Sequence, residues 1–155
     1  MIKLKYGDNC PDFSLKDQNS NEISLKDYSG SKLLIYFYPR ANTPGCTEQS
    51  CQVRNSKEDF SKIGVKVVGI SPDNPSRQKK FESNYNLNFP LLCDTEHKVA
   101  EAFGVWQEKK MFGKTYMGIV RSSFLIDENA KIIEAWYKVK PEETVPKALA
   151  AMNAL

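Results

Sequence analysis

Histidine is nearly absent from this chain: His97 stands alone among 155 residues. A cysteine–histidine hydrolase needs an imidazole base beside its nucleophile. His97 falls on a short predicted helix after Asp94, where a solvent-facing or helix-capping role is expected and nothing marks it as a base. Long apolar runs are also missing. No stretch approaches 18 consecutive apolar residues, so no membrane-spanning helix is predicted. Met1 to Gly7 alternates apolar and charged residues without an apolar h-region or a cleavage site, which points to a cytoplasmic protein. Nor is there a large excess of one charge. The 22 basic and 19 acidic residues are scattered and leave a net +3. No run of Lys and Arg interleaved with aromatics stands out, so neither nucleic acid nor a membrane is an expected partner. Lys79-Lys80 and Lys109-Lys110 read as solvated surface.

Cysteine is sparse, and its spacing excludes more than it allows. A dithiol oxidoreductase wants Cys-x-x-Cys, but Gln49 stands three residues after Cys46. Cys46 and Cys51 have the spacing that opens a plant-type iron–sulfur motif, yet Arg54 occupies the next ligand position. Zinc ligands come in close pairs, whereas Cys10 and Cys93 lie far from the other two. No metal and no cofactor are therefore expected. In a reducing compartment, an unusual cysteine pair points to catalysis rather than to a structural bridge.

What the chain does have is enough apolar content, 41%, for one compact domain over residues 1–155. A chain of this length buries roughly two-thirds of its unfolded surface, so it needs no disulfide or metal to fold. Linkers, repeats and low-complexity stretches are missing. Short strands are predicted over 12–15 and 22–25, with a turn between them. Leu33 to Tyr38 is a continuous apolar run, as in a strand buried on both faces. A helix over 44–63 follows, stopped by Gly64. Further predicted elements are a buried strand over 65–70, a helix from Asn74-Pro75 to Tyr85, a strand over 89–92 and a helix over 96–103. Residues 106–116 read as either a hairpin or a loop. Strands over 122–126 and 132–137 precede a final helix with Val145, Ala148, Leu149 and Met152 inward. Alternation of strand and helix, then a hairpin and a closing helix, gives an α/β sandwich with a mixed sheet.

The segment from Tyr38 to Thr47 joins the buried strand to its helix, beyond a strand's carboxyl end, where ligands gather in open α/β folds. Thr43 suits the N-cap, Pro44 the first helical position, and Cys46 then takes the third. Free backbone N–H groups and the helix dipole favour an anion there, by about 0.3–1 kcal/mol and up to ~2 when partly buried. A nearby arginine would add an opposite charge. Together they favour the thiolate, the form that attacks. The plain alternative is a cysteine that only packs, as cysteines often do. Cys51 lies about 140° around the helix from Cys46. In a regular helix their Cα atoms are roughly 8.6 Å apart, against the 4.4–6.8 Å a disulfide wants. The two can join only if that turn unwinds.

The stretch YFYPRANTPGCTEQSC, residues 36–51, resembles the active-site segment of the bacterioferritin comigratory protein (peroxiredoxin Q) branch of the peroxiredoxins. That family's Pro-x-x-x-Thr-x-x-Cys pattern falls on Pro39, Thr43 and Cys46. The resemblance extends through Gly7-Asp8, Pro11-Asp12-Phe13, Val68 to Asp73, Phe89 to Leu92 and Arg121 to Asp127. It implies a thioredoxin-like sandwich, a central mixed sheet flanked by helices, and a thiol peroxidase acting on hydrogen peroxide and organic hydroperoxides. Cys46 would be the attacking cysteine and become a sulfenic acid. Thr43 would hold the peroxide oxygens, Pro39 would shield the thiolate, and Arg121 would stabilise thiolate and developing charge. Cys51 matches the resolving cysteine, giving an intramolecular disulfide that thioredoxin or a similar dithiol reduces. A monomer is implied. Two alternatives stay open: a one-cysteine peroxidase resolved by an external thiol, and a dithiol–disulfide oxidoreductase on the same fold. The chain departs from the family where Gln49 replaces a common Glu that supports the arginine, with Glu48 one residue earlier. Cys10 and Cys93 stand where small residues are usual, and both are expected to pack.

Overall fold

The computed structural model describes residues 3–155. Met1 and Ile2, the start of the alternating opening stretch, lie outside the described residues. Strands β1 (Ser14–Lys16) and β2 (Glu22–Ser24) pair antiparallel, and a 3-10 turn, Leu25–Tyr28, leads into β3 (Lys32–Phe37). The chain continues as α1 (Pro44–Lys62), β4 (Val65–Ser71), α2 (Pro75–Tyr85), β5 (Leu91–Cys93) and α3 (Lys98–Ala102). It ends with β6 (Trp106–Met111), β7 (Lys114–Ile119), β8 (Ser122–Ile126), β9 (Ile132–Trp136) and α4 (Thr144–Asn153). Seven strands form one sheet in the order β2-β1-β5-β4-β3-β8-β9. β3, β4 and β5 are parallel neighbours, while β8, β9, β1 and β2 pair antiparallel, so the sheet is mixed.

The apolar run in β3 explains its central place. Side chains alternate across a strand, and here both faces are covered. Leu33, Ile35 and Phe37 pack with Phe103, Phe124 and the α3 residues Val99 and Ala100. Leu34, Tyr36 and Tyr38 face the opposite layer, with Val53 and Phe60 of α1, Phe81 of α2 and Ala148 of α4. The α4 stripe is only half as deep as its pattern suggests: Val145 and Ala148 are buried, while Leu149 and Met152 are partly so. Two buried tyrosines need partners in that layer, and find them. Tyr36 Oη pairs with Ser50 Oγ at 2.8 Å, and Tyr38 Oη donates to Gln78 Oε1 at 2.6 Å. Gly69 lies against these rings, where an added Cβ would sit 2.9 Å from Tyr36.

The boundaries fall within two residues of the sequence reading, and the largest shifts have local causes. β5 begins at Leu91 rather than Phe89 because the buried Gln18 side chain occupies that ladder. Its Nε2 donates to Phe89 O at 3.0 Å, and its Oε1 accepts from Leu91 N at 2.9 Å. α3 shrinks to Lys98–Ala102 because the Asp94 carboxylate caps it, accepting from Val99 N and Ala100 N. His97 holds the N-cap position with φ 60° but makes no side-chain cap bond; its ring stacks on Trp106 at 3.9 Å. Residues 106–116, left open between hairpin and loop, form the β6–β7 hairpin, a two-stranded sheet of its own.

Candidate active site

The C-terminal end of β3 and the start of β8 are neighbours, since Phe37 pairs with Ser122. α1 begins seven residues beyond Phe37, and Arg121 immediately precedes Ser122. The antiparallel register therefore brings a helix N-terminus and an arginine 75 residues apart to one edge of the sheet. Arg121 Nη2 donates to Cys46 Sγ at 3.4 Å. Cys46 itself is 1% exposed. The first backbone bond of α1 runs from Thr47 N to Thr43 O, so the N–H groups of Gly45 and Cys46 lie ahead of the helical ladder, at its positive end. Gly45 makes room for the arginine: a Cβ there would meet Arg121 Nη2 at 3.2 Å.

Arg121 is held by a chain of buried side chains. Its Nη1 donates to Gln49 Oε1 at 2.6 Å, Gln49 Nε2 donates to Thr144 Oγ1 at 2.9 Å, and that hydroxyl pairs with Ser123 Oγ at 2.8 Å. Gln49, Ser123 and Thr144 are buried. An amide offers one acceptor and two donors, and Gln49 uses one of each to lock the guanidinium against α1 and α4. Gln49 does position the arginine, and because it is neutral it leaves the whole cation facing the sulfur. Glu48 is exposed.

Thr43 occupies the N-cap position, but its hydroxyl does not cap the helix. Instead it donates to Arg40 O at 2.8 Å, which leaves its lone pairs free. Pro39 follows the buried Tyr38 and is half-buried on the same connection. That connection is pinned by the buried Asp73, whose Oδ2 accepts from Ala41 N and from Ser71 Oγ, each at 2.7 Å. Cys51 is half-buried, one and a half turns along an unbroken α1, and both cysteines are free thiols. The structure thus brings Cys46 and Arg121 into contact and leaves Cys51 apart.

The family model for AhpC/TSA matches residues 6–135. The chain belongs to the AhpC/TSA family. It is 45% identical to the peroxiredoxin Bcp of Bacillus subtilis over 98% of this chain and 97% of that protein. The peroxidoxin BcpB of Mycobacterium tuberculosis superposes with a TM-score of 0.87 at 33% identity, covering 98% of both chains. The bacterioferritin comigratory protein of Xanthomonas campestris does so with 0.86 at 34% identity, covering 92% of this chain and 90% of that one. The protein is a thiol-dependent peroxidase of the Bcp branch on a thioredoxin-like fold, with peroxides as substrates and a thiol as reductant.

Two other thiols of this peroxiredoxin are held inert. Burial first, and the charge of Asp12 second, push the Cys10 thiol up to about 12. Burial, then Asp17 and Asp73, push Cys93 up to about 12. At pH 8 such groups are ionised to about one part in 10⁴. Iodoacetamide at that pH is expected to label half-exposed Cys51 while Cys10 and Cys93 stay unmodified, read by mass spectrometry of the folded protein. Rapid labelling of Cys10 or Cys93 would contradict this.

Sequence reasoning missed Lys109, which it assigned to the solvated surface. The amine is half-buried and donates to Ile119 O at 2.9 Å. It shares with Arg121 the wall of a cavity of about 470 Å³. Burial lowers its pKa, Arg121 lowers it further, and Cys46 opposes them. Gly118 lets the stem pass, since a Cβ would lie 3.2 Å from Lys109 Cδ. With the hairpin itself undecided, the sequence carried no signal for this. Among the described residues no helix is long and apolar enough to cross a membrane.

Proposed function

We propose that Cys46 is the nucleophile of this peroxidase and Cys51 its resolving partner. The observation that carries the reading is the Arg121 contact to a cysteine sulfur at a helix N-terminus. The Cys46 thiolate attacks one peroxide oxygen and the O–O bond breaks. The far oxygen leaves as an alkoxide or hydroxide that takes a proton, and sulfur keeps the near oxygen as a sulfenic acid. Arg121 stabilises the thiolate and the charge that develops on the peroxide. Thr43, with its lone pairs free, accepts a hydrogen bond from the peroxide O–H and so holds the peroxide oxygens in line, and Pro39 keeps water from the sulfur. Hydrogen peroxide and organic hydroperoxides both suit this chemistry, and the Xanthomonas campestris relative has an alkyl peroxide reduction activity.

Cys51 then displaces the sulfenic oxygen as water and forms the disulfide, which a dithiol such as thioredoxin returns to two thiols. The closed helix keeps the two cysteines roughly 8.6 Å apart, so α1 must first unwind between them. Thr47 Oγ1 favours this, being buried without a hydrogen-bond partner in the closed helix and free to bond water once the turn opens. Gly45 weakens the helix start. The buried, unbridged Cys10 and Cys93 suit a reducing, cytoplasmic setting, and the reading takes residues 1–155 as a single domain working as a monomer.

Disulfide mapping and amide hydrogen exchange on reduced and peroxide-treated protein test this reading. Oxidation is expected to yield a Cys46–Cys51 bond and loss of protection over about residues 44–56, with residues 33–37 still protected. Cys51→Ser is expected to keep its helix and pass to the sulfinic acid at high peroxide. A mapped bond with unchanged protection refutes the unwinding. Failure to form the bond leaves an external thiol as the resolving partner.

A further inference from the structure

The turn between β6 and β7 breaks a local rule. Met111 pairs with Lys114, so Phe112 and Gly113 are the two central residues, with φ of 52° and 76°. Positive φ at both positions is the type I′ turn, which favours Asn-Gly. A bulky aromatic in the left-handed region is strained, and residues in such strained conformations cluster at functional sites. The fold gains nothing from this side chain, for Phe112 is 96% exposed.

Its surroundings identify what it meets. Met111, Tyr116 and Met117 are also exposed, at 54%, 39% and 48%. By the strand register Met111 and Tyr116 lie on one face of the hairpin and Met117 on the other, with Phe112 at the apex. An exposed apolar side chain on each face, with an aromatic at the apex, suits insertion into a fluid layer rather than docking on one protein face. Lys110 and Lys114 are exposed beside it, and residues 110–117 contain no acidic side chain, which suits an anionic surface. We propose that the β6–β7 hairpin docks this protein on an anionic phospholipid bilayer. Phe112 enters at the boundary between headgroups and acyl chains, while Lys110 and Lys114 meet the lipid phosphates.

This goes against the sequence expectation of no membrane partner. That expectation rested on the missing spanning helix and on scattered charge, neither of which bears on a hairpin tip assembled by folding. Docking also concerns the active site. β7 ends two residues before Arg121, and the Lys109 amine braces the hairpin from within by donating to Ile119 O. A docked hairpin therefore holds the Cys46–Arg121 edge within about 20 Å of the bilayer, the length of its strands. Peroxides carried by lipid would then form close to the site.

Co-sedimentation with vesicles of phosphatidylglycerol and phosphatidylcholine in about equal parts, against vesicles of phosphatidylcholine alone, tests the proposal. Phe112→Asn suits the turn, so the hairpin persists. It is expected to weaken binding to the anionic vesicles about tenfold. Lys110→Gln with Lys114→Gln is expected to weaken it roughly thirtyfold, as does raising the salt. Hydrogen peroxide reduction in solution should be unchanged in both variants, which separates docking from the chemistry at Cys46. No binding of the wild type to anionic vesicles overturns the proposal, as does binding that Phe112→Asn leaves intact. Slower reduction by a protein dithiol in Phe112→Asn, without vesicle binding in the wild type, overturns it in favour of a protein partner.

Discussion

Replacing Cys46 by serine is expected to reduce peroxide consumption to the uncatalysed background. The attacking species is a thiolate, and a serine hydroxyl at the same place is neither ionised at neutral pH nor comparably nucleophilic. The helix N-terminus and Arg121 would still be present, 3.4 Å from the lost sulfur, but they act on a group that has no charge to stabilise. Serine at a position 1% exposed also replaces a packed sulfur by a smaller atom at a buried site. Circular dichroism and a urea melt should therefore accompany the assay, so that lost chemistry is read on folded protein. Cys10→Ser and Cys93→Ser should keep most activity, because neither thiol has a cation beside it and both are pushed up to about 12. Substantial turnover by Cys46→Ser would remove it as the nucleophile and reopen the assignment to Cys51.

Arg121→Ala is expected to cut the second-order rate with hydrogen peroxide by about 10²–10³, the usual cost of removing one preorganised stabilising group. Two effects combine in this variant. The thiolate loses its opposite charge, and the leaving peroxide oxygen loses the cation that meets its developing charge. Truncation also strands Gln49 Oε1, a buried acceptor, at about 1–3 kcal/mol of stability. Arg121→Lys separates the contributions. It keeps one positive charge, but a point charge on a flexible stem cannot bond Cys46 and Gln49 together in the guanidinium's fixed fork. Its rate should lie between wild type and alanine, by stopped-flow measurement at low ionic strength. If both variants react at the wild-type rate, Arg121 is a structural residue and the field at Cys46 comes from the helix alone.

The parts of this protein that could be read from its sequence are those in which a chemical constraint is local. The strand at Leu33 to Tyr38 showed itself because burial on both faces demands an unbroken apolar run, and both faces of β3 are indeed covered. The start of α1 was legible because Pro44 and the small residues around it suit a first helical turn, and Cys46 then falls within that turn by counting. Even there the local rule failed once: the Thr43 hydroxyl turns to Arg40 O instead of capping the helix. That Cys10 and Cys93 pack was expected from the resemblance, and both are buried.

Other features depended on pairing between distant segments. Arg121 was marked only by resemblance, because its contact with Cys46 exists only through the antiparallel register of β3 and β8. The Gln49–Thr144–Ser123 chain joins α1, α4 and β8, which no spacing rule relates. Lys109 turned from surface residue to neighbour of the site because the hairpin folds its amine back to Ile119 O. By itself the sequence determined most of the elements, the family and the cysteine we propose as nucleophile, since periodicity, caps and short motifs act over a few residues. Only the tertiary structure decided which charges face the sulfur, because an electrostatic partner is selected by distance in space, and that distance is set by sheet register.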